Sequence, residues 1–228
     1  MDTKHAEGRV ARRQKRNRVA LLEAGEEVMS EKGIDAATMQ EIAERADVGA
    51  GTVYNYFKSK DDLAVAVLEN IMERLAERIE DVTDTFSDSA QVYAFGIRKV
   101  IETATGDVRW KQLLHRSEVM ADALYRRMGP YPIRDMHLAT EAGRFNVSDP
   151  ALVWRLTSHA IVGFALDITK NGLPSGSIDE VVIRLLCMTG IAIEDATELA
   201  ARPSPPLPPQ PAPRKNRSPL KTIADPHG

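Results

Sequence analysis

Apolar residues recur along most of this chain at steps of three and four, the spacing of helices with one buried side. Ala20, Leu21, Ala24 and Val28 form the stripe of a first helix from about Arg13 to Lys32, with Gly33 as its stop. Ile34 and Ala37 are placed to pack it against two short helices. Ile42, Ala43 and Ala46 line one of these, and Val53 and Phe57 line the other, Thr52 to Phe57. Leu63, Val67, Ile71, Leu75 and Ile79 then mark a long helix from Lys60 to about Thr83. A fifth helix follows Ser87-Asp88 with Val92, Phe95, Ile97 and Ile101, and Thr103 to Asp107 is expected to break it. Val108 to Leu114 reads as a short helix containing Trp110, and Ser117 opens a longer one through Tyr125 and Met128. Gly129-Pro130-Tyr131-Pro132 interrupts that pattern before Ile133 to Ala142 resumes it. Two prolines two apart lose hydrogen bonds in a helix interior, so a kink or a broken helix is predicted. The helix after Asp149-Pro150 and the last one, capped by Ser177 and Glu180, carry apolar faces too broad for a single stripe. The predicted fold is all-α.

The densest local signals fall in residues 38 to 63. Thr38 and Glu41 have the spacing of a reciprocal capping box, and Ser59 and Asp62 repeat it ahead of the long helix. Asp47-Val48-Gly49 makes a corner between the two short helices, because Asp tolerates the left-handed region and Gly49 and Gly51 carry no Cβ. Two short helices around such a corner form a helix-turn-helix, whose second helix is the element suited to a major groove. Several residues there have the chemistry for DNA. Thr52, at the start of that helix, has a hydroxyl for a phosphate beside free helix N–H groups. The hydroxyls of Tyr54 and Tyr56 can reach backbone oxygens, or their rings can complete the core. Asn55 has the paired donor and acceptor that read adenine, and Ala50 offers a methyl for thymine. Lys60 suits a phosphate, and Gln40 approaches from the first helix of the pair.

The run T-x-x-E-I-A-x-x-A from Thr38, followed by V-x-x-G-T-V-Y-x-Y-F-x-S-K-x-x-L from Val48, resembles the TetR family of bacterial transcriptional regulators over residues 10 to about 200. The resemblance implies a three-helix DNA-binding head joined to a helical ligand-binding and dimerisation body. It places Gln40, Ala50, Gly51, Thr52, Tyr54, Asn55, Tyr56 and Lys60 at the DNA surface. Asp47 stands where the family often has Gly, and Gly49 where it often has a capping Ser, so a weaker cap on the second helix is expected. The resemblance also makes a cavity at the proline break the pocket for a small-molecule effector, with Trp110, His115, Met120, Tyr125, His137 and Phe164 as candidate lining. It implies a homodimer through the last two helices, about 149–172 and 178–200. Their broad apolar faces point the same way, since a chain of this size has too few layers to bury them alone.

Charge distribution adds direction. The chain carries a net −3, but residues 1 to 18 hold seven Lys and Arg against two acids, while residues 61 to 202 hold 15 against 22. A basic arm on an acidic body fits one end meeting phosphate, double-stranded DNA in a palindromic operator being the expected partner. The expected organisation is a flexible basic arm over 1–12, a helix-turn-helix domain over 13–59, a ligand-binding and dimerisation domain over 60–202, and a disordered tail over 203–228. That tail has seven prolines in residues 203–213 and then Arg214, Lys215, Arg217 and Lys221. Cys187 is the single cysteine, which excludes an intrachain disulfide, and buried packing is its expected role. His115 and His137 lack a partner at metal-ligand spacing, so no metal or cofactor is predicted. No uninterrupted apolar run reaches about 18 residues, so no membrane association and a cytoplasmic location are expected. No G-x-S-x-G, phosphate-cradling Gly-rich loop or H-E-x-x-H is present, which argues against an enzyme. The alternatives to a ligand-released repressor are an activator of the same fold, and a ligand-binding or protein-interaction module without specific DNA binding.

Overall fold

The first helix, α1, spans Thr3–Lys32 and so begins ten residues before the expected Arg13. The arm expected to be flexible over residues 1 to 12 is therefore helical from Thr3. No proline interrupts that stretch, and Arg12 Nε donates to the Gly8 carbonyl one turn back at 3.0 Å. α1 ends where the N–H of Gly33 closes on the Met29 carbonyl at 2.9 Å. The computed structural model describes residues 3–174 and 177–209, which divide into two units, Met1–Asn70 and Ile71–Gly228.

In the first unit, α2 (Met39–Arg45) starts at the predicted capping box. Thr38 Oγ1 accepts from the Glu41 N–H at 3.2 Å, and Glu41 accepts from the Thr38 N–H at 3.1 Å. Lys32 pairs with Glu41, and Arg45 reaches Glu27 at 2.8 Å and Glu31 at 3.2 Å, so both ends of α2 are tied to α1. Asp47 makes the corner at φ 52°. The next helix, α3 (Ala50–Tyr54), is shorter and earlier than the expected Thr52 to Phe57. Gly49 at its N-cap supplies no side-chain bond, and past Tyr54 the chain tightens into turns that still bury Phe57. Ile42, Val53, Leu63 and Val67 are buried, each worth about 1.5–3 kcal/mol. Gly25 makes that packing possible, since a Cβ there would lie 2.9 Å from Val67 Cγ2.

α4 (Lys60–Thr83) is one uninterrupted helix, and the division between the units falls inside it, not at the expected 59/60 boundary. Its first half supplies Leu63 and Val67 to the first unit's core, which is why the boundary moves. Ser59 Oγ accepts from the Asp62 N–H at 3.1 Å at its start.

The second unit is built around α5 (Ser89–Gly106), which starts where Asp88 accepts from the Ala90 N–H and runs unbroken through Thr103 to Gly106. The expected break falls at Asp107 because Thr103 and Thr105 stay compatible with helix, Thr105 bonding the Ile101 carbonyl. α6 (Val108–Leu113) leads through a 3-10 turn, Leu114–Arg116, into α7 (Ser117–Met128). The two prolines separate α7 from α8 (Pro130–Glu141), with Pro130 accommodated at the first helical turn. α9 (Pro150–Asn171) is capped by Asp149 and packs on α5, α7 and α8. The expected last helix over 178–200 is two helices, α10 (Ile178–Cys187) and α11 (Ile193–Ala201). Gly190 at φ 80° turns the chain between them, and a Cβ there would meet the Asn146 carbonyl oxygen at 2.8 Å. Ser177 makes no side-chain cap bond, contrary to the S-x-x-E reading, because its backbone is already helical at φ −77° and ψ −4°. Cys187 is half-buried at the end of α10, not enclosed, since the helix stops there. The basic tail residues Arg214, Lys215, Arg217 and Lys221 lie outside the described residues.

Candidate DNA-binding surface and body cavity

The eight positions singled out for DNA all fall between Gln40 and Lys60, and none is buried. Val53 and Phe57 hold α3 from its inner side, at 0% and 5% exposure. This turns Tyr54, 56% exposed, away from the core, so its ring does not complete it. Ala50, Gly51 and Asn55 are exposed beside it, and Thr52 and Tyr56 are half-buried. Gln40 is exposed but its amide donates to Glu44 at 3.0 Å. Lys60 is half-buried and its ammonium bonds the Asp35 carbonyl, which leaves two of its three donors to spare. Arg12, Arg13, Lys15 and Arg16 are exposed along α1, while Arg18 stacks over the Phe57 ring at 5.3 Å.

In the second unit a cavity of ≈ 30 Å³ lies where the proline break opens the helices. Its walls come from Ala76, Ile79 and Glu80 of α4, Val92, Tyr93, Gly96, Ile97 and Val100 of α5, Met128 of α7, Tyr131, Pro132 and Asp135 of α8, and Trp154 of α9. None of the six residues expected to line an effector pocket is among them. Trp110, Met120 and Tyr125 are buried elsewhere in the core, His115 and His137 are exposed, and Phe164 is half-buried on α9. The Trp154 indole N–H is spent on the Tyr125 carbonyl at 3.2 Å, so that ring offers the cavity only apolar surface.

The polar end of the cavity is a buried carboxylate. Asp135, 6% exposed, receives Arg134 Nε at 3.0 Å and Nη2 at 2.7 Å, both on Oδ1. Arg134 also grips both oxygens of Glu80 at 2.9 Å. Burial pushes the Asp135 carboxyl up to about 6, helped by the Glu80 charge and opposed by Arg134. The Tyr93 hydroxyl shares a hydrogen with Thr157 at 3.4 Å, and burial, ahead of the nearby Asp135 charge, pushes it up to about 12. Burial and then the charges of Glu80, Glu77 and Glu73 also raise Tyr131. Sequence reasoning missed Asp135, Glu80, Tyr93 and Trp154. One signal was available: Asp135 sits one and four residues ahead of the buried Met136 and Ala139, a carboxylate on the inner side of an apolar stripe.

A helix-turn-helix with an exposed second helix, followed by a helical body containing a small cavity, defines a DNA-binding regulator with a separate helical domain. The chain belongs to the TetR family of bacterial regulatory proteins. The family's N-terminal model matches residues 21–67, and a tetracyclin repressor-like C-terminal domain matches residues 88–202. The structure is similar to that of RolR in complex with resorcinol, with a TM-score of 0.77 and 27% identity over 87% of this chain and 100% of that one. The repressor KstR of Mycolicibacterium smegmatis is 32% identical over 116 residues, 51% of this chain and 56% of KstR. FadR of Bacillus subtilis in complex with stearoyl-CoA shares the fold at a TM-score of 0.58 and 20% identity, covering 76% of this chain and 99% of FadR. The curated relatives are matched over only 31% to 56% of their own length. These relatives are transcriptional regulators.

Proposed function

We propose that the chain is a homodimeric repressor that binds a palindromic operator in the cytoplasm and leaves it when a small molecule enters the body cavity. The observation that carries the DNA half of this reading is the exposed edge of α3, Tyr54 and Asn55, on a helix fixed from behind by Val53 and Phe57. A helix anchored on one side and open on the other is what a major groove can receive. Asn55 and Ala50 read bases there, and Thr52, Tyr54, Tyr56 and Lys60 hold phosphates. Gln40 touches the backbone from α2. One such head covers too few bases for genomic selectivity, which is the reason for pairing two.

α9 supports the pairing. By length and composition it would pass for a membrane span, yet Arg155, His159 and Asp167 interrupt its sequence and its inner side packs on α5 and α7. Its other side carries Leu152 and Leu156, 55% and 52% exposed, followed by exposed Ala160 and Gly163 at helical spacing. A second copy laid along that face and α10 would cover it.

The ligand half rests on the cavity. At ≈ 30 Å³ it has room for little more than water, whereas an apolar cavity that takes benzene measures about 150 Å³. An effector must therefore widen it, moving Ile79 and Glu80, which belong to the same uninterrupted helix that begins at Lys60. A ligand that favours the widened state shifts α4, and with it the DNA affinity, by the difference in its affinity for the two states. Footprinting on the DNA upstream of its own gene and the divergent neighbour tests this reading. The expected result is a protected palindrome of about 15–30 base pairs, two half-sites related by the dimer axis. Non-specific coating alone would contradict it.

A further inference from the structure

Residues 203–209, the start of the proline-rich stretch, lie against the body. We propose that residues 202–209 form a polyproline strap that clasps α4 and restrains the shift by which the cavity would act on DNA binding. The regulatory half of this proposal rests on the ligand-release reading. Arg202 leaves α11 at φ −63° and ψ 154°, the dihedrals of a polyproline II helix, which has three residues per turn. Burial follows that period. Arg202, Pro205 and Pro208 are half-buried, whereas Pro203, Pro206 and Pro209 are exposed. Leu207, also half-buried, widens the docked side.

Guanidinium groups hold this segment along its length. Arg98 of α5 donates to the Ala200 carbonyl at the end of α11, at 2.8 Å, and to Asp179 at 2.6 Å. Arg202 reaches Asp88 at 2.7 Å and Gln91 at 3.2 Å, at the start of α5, and Arg144 meets the same Asp88 oxygen at 3.1 Å. Farther along, Arg78 of α4 donates its Nε to the Pro208 carbonyl at 2.8 Å. Proline has no N–H, so a run of prolines does not pair as helix or strand, and its carbonyls stay available as acceptors. Its fixed φ also leaves little backbone freedom to lose on docking, so a few contacts suffice to hold the strap. Arg78 stands within one turn of Ala76, Ile79 and Glu80, the α4 residues on the cavity wall. Widening the cavity by moving those residues displaces Arg78 with them, and the bond to Pro208 resists. The strap therefore favours the narrow cavity, the state proposed to hold the operator.

Hydrogen exchange of the full-length protein tests the strap, read by mass spectrometry on peptides covering residues 71–83. Pro205→Ala/Leu207→Ala/Pro208→Ala strips the docked side, and Arg78→Ala removes the donor on α4. Pro203→Ala/Pro206→Ala takes as many prolines from the exposed side and is the control. The docked-side variant and Arg78→Ala should each speed exchange in that stretch about fivefold, the scale of one lost hydrogen bond. The control should match wild type, and α1 should exchange at the wild-type rate in every protein, which separates release of the strap from general unfolding. Equal acceleration by the two tail variants, or no change in α4, overturns the strap. Operator affinity is then measured on the same proteins with the footprinted fragment. The docked-side variant should bind about fivefold more weakly than wild type and the control. Faster exchange with unchanged affinity overturns the regulatory half. Wild type that protects no operator sinks the ligand-release reading instead, and the exchange rates decide the clasp by themselves.

Discussion

Asp135 shows how burial sets one carboxyl's titration against the stability of the fold. Its carboxyl ordinarily loses its proton near 3.8, and in the folded chain it does so near 6. Burial causes this, with Arg134 on one side opposing it and Glu80 adding to it, and Tyr93 and Tyr131 line the same cavity. The folded state therefore binds the proton more tightly than the unfolded state. Its stabilising contribution is complete below about pH 4 and lost as pH rises through about 6. Asp135→Asn removes that loss. Denaturant unfolding at a series of pH values should show the variant gaining on wild type between pH 4 and 7, by on the order of 2–3 kcal/mol. A constant difference across that range would refute the assignment. The residue was legible in the sequence only as an acid beside an apolar stripe, because its burial depends on α4, α5 and α9 arriving around it. The histidines and aromatics expected at a pocket lie away from this cavity for the same reason. Residue type says what a side chain can do, whereas the cavity is set by which faces meet at the proline break.

Among the elements, those fixed by local chemistry were the most legible. The Thr38–Glu41 box, the Asp47 corner, the Asp149-Pro150 start and the split at Gly129-Pro130 act within a few residues, and each stands where its sequence signal put it. The α10–α11 turn was missed, since its apolar pattern continues smoothly through Leu185, Met188 and Ile191. What decides it is a tertiary requirement. Asn146 donates its N–H to the Thr189 carbonyl at 2.9 Å, and the adjoining Gly190 lies against the Asn146 backbone. Gly190→Ala should destabilise by roughly 1–3 kcal/mol in chemical unfolding, from the positive φ and the close approach together. Gly143, also at positive φ but with open space around it, gives the strain-only control: Gly143→Ala should cost less. Equal losses at the two sites would mean the Asn146 approach contributes nothing.

For the whole molecule, the body's uncovered α9 face and the head's exposed α3 edge are proposed to work together only in a pair. Leu156→Glu places a charge in the middle of the α9 face and should halve the sedimenting mass at micromolar concentration. It should also cut operator affinity, while leaving the buried side of α9 intact. A variant that stays dimeric would move the interface elsewhere.

The central claim is that the open edge of α3 reads DNA, and a competitor mobility-shift assay on the footprinted fragment tests it most directly. Wild type should hold that fragment against excess unrelated DNA. Tyr54→Ala, at an exposed position where truncation changes stability by no more than about 0.5 kcal/mol, should lose at least tenfold in affinity. Unchanged affinity of the variant, or equal displacement of wild type by any DNA, would contradict the account.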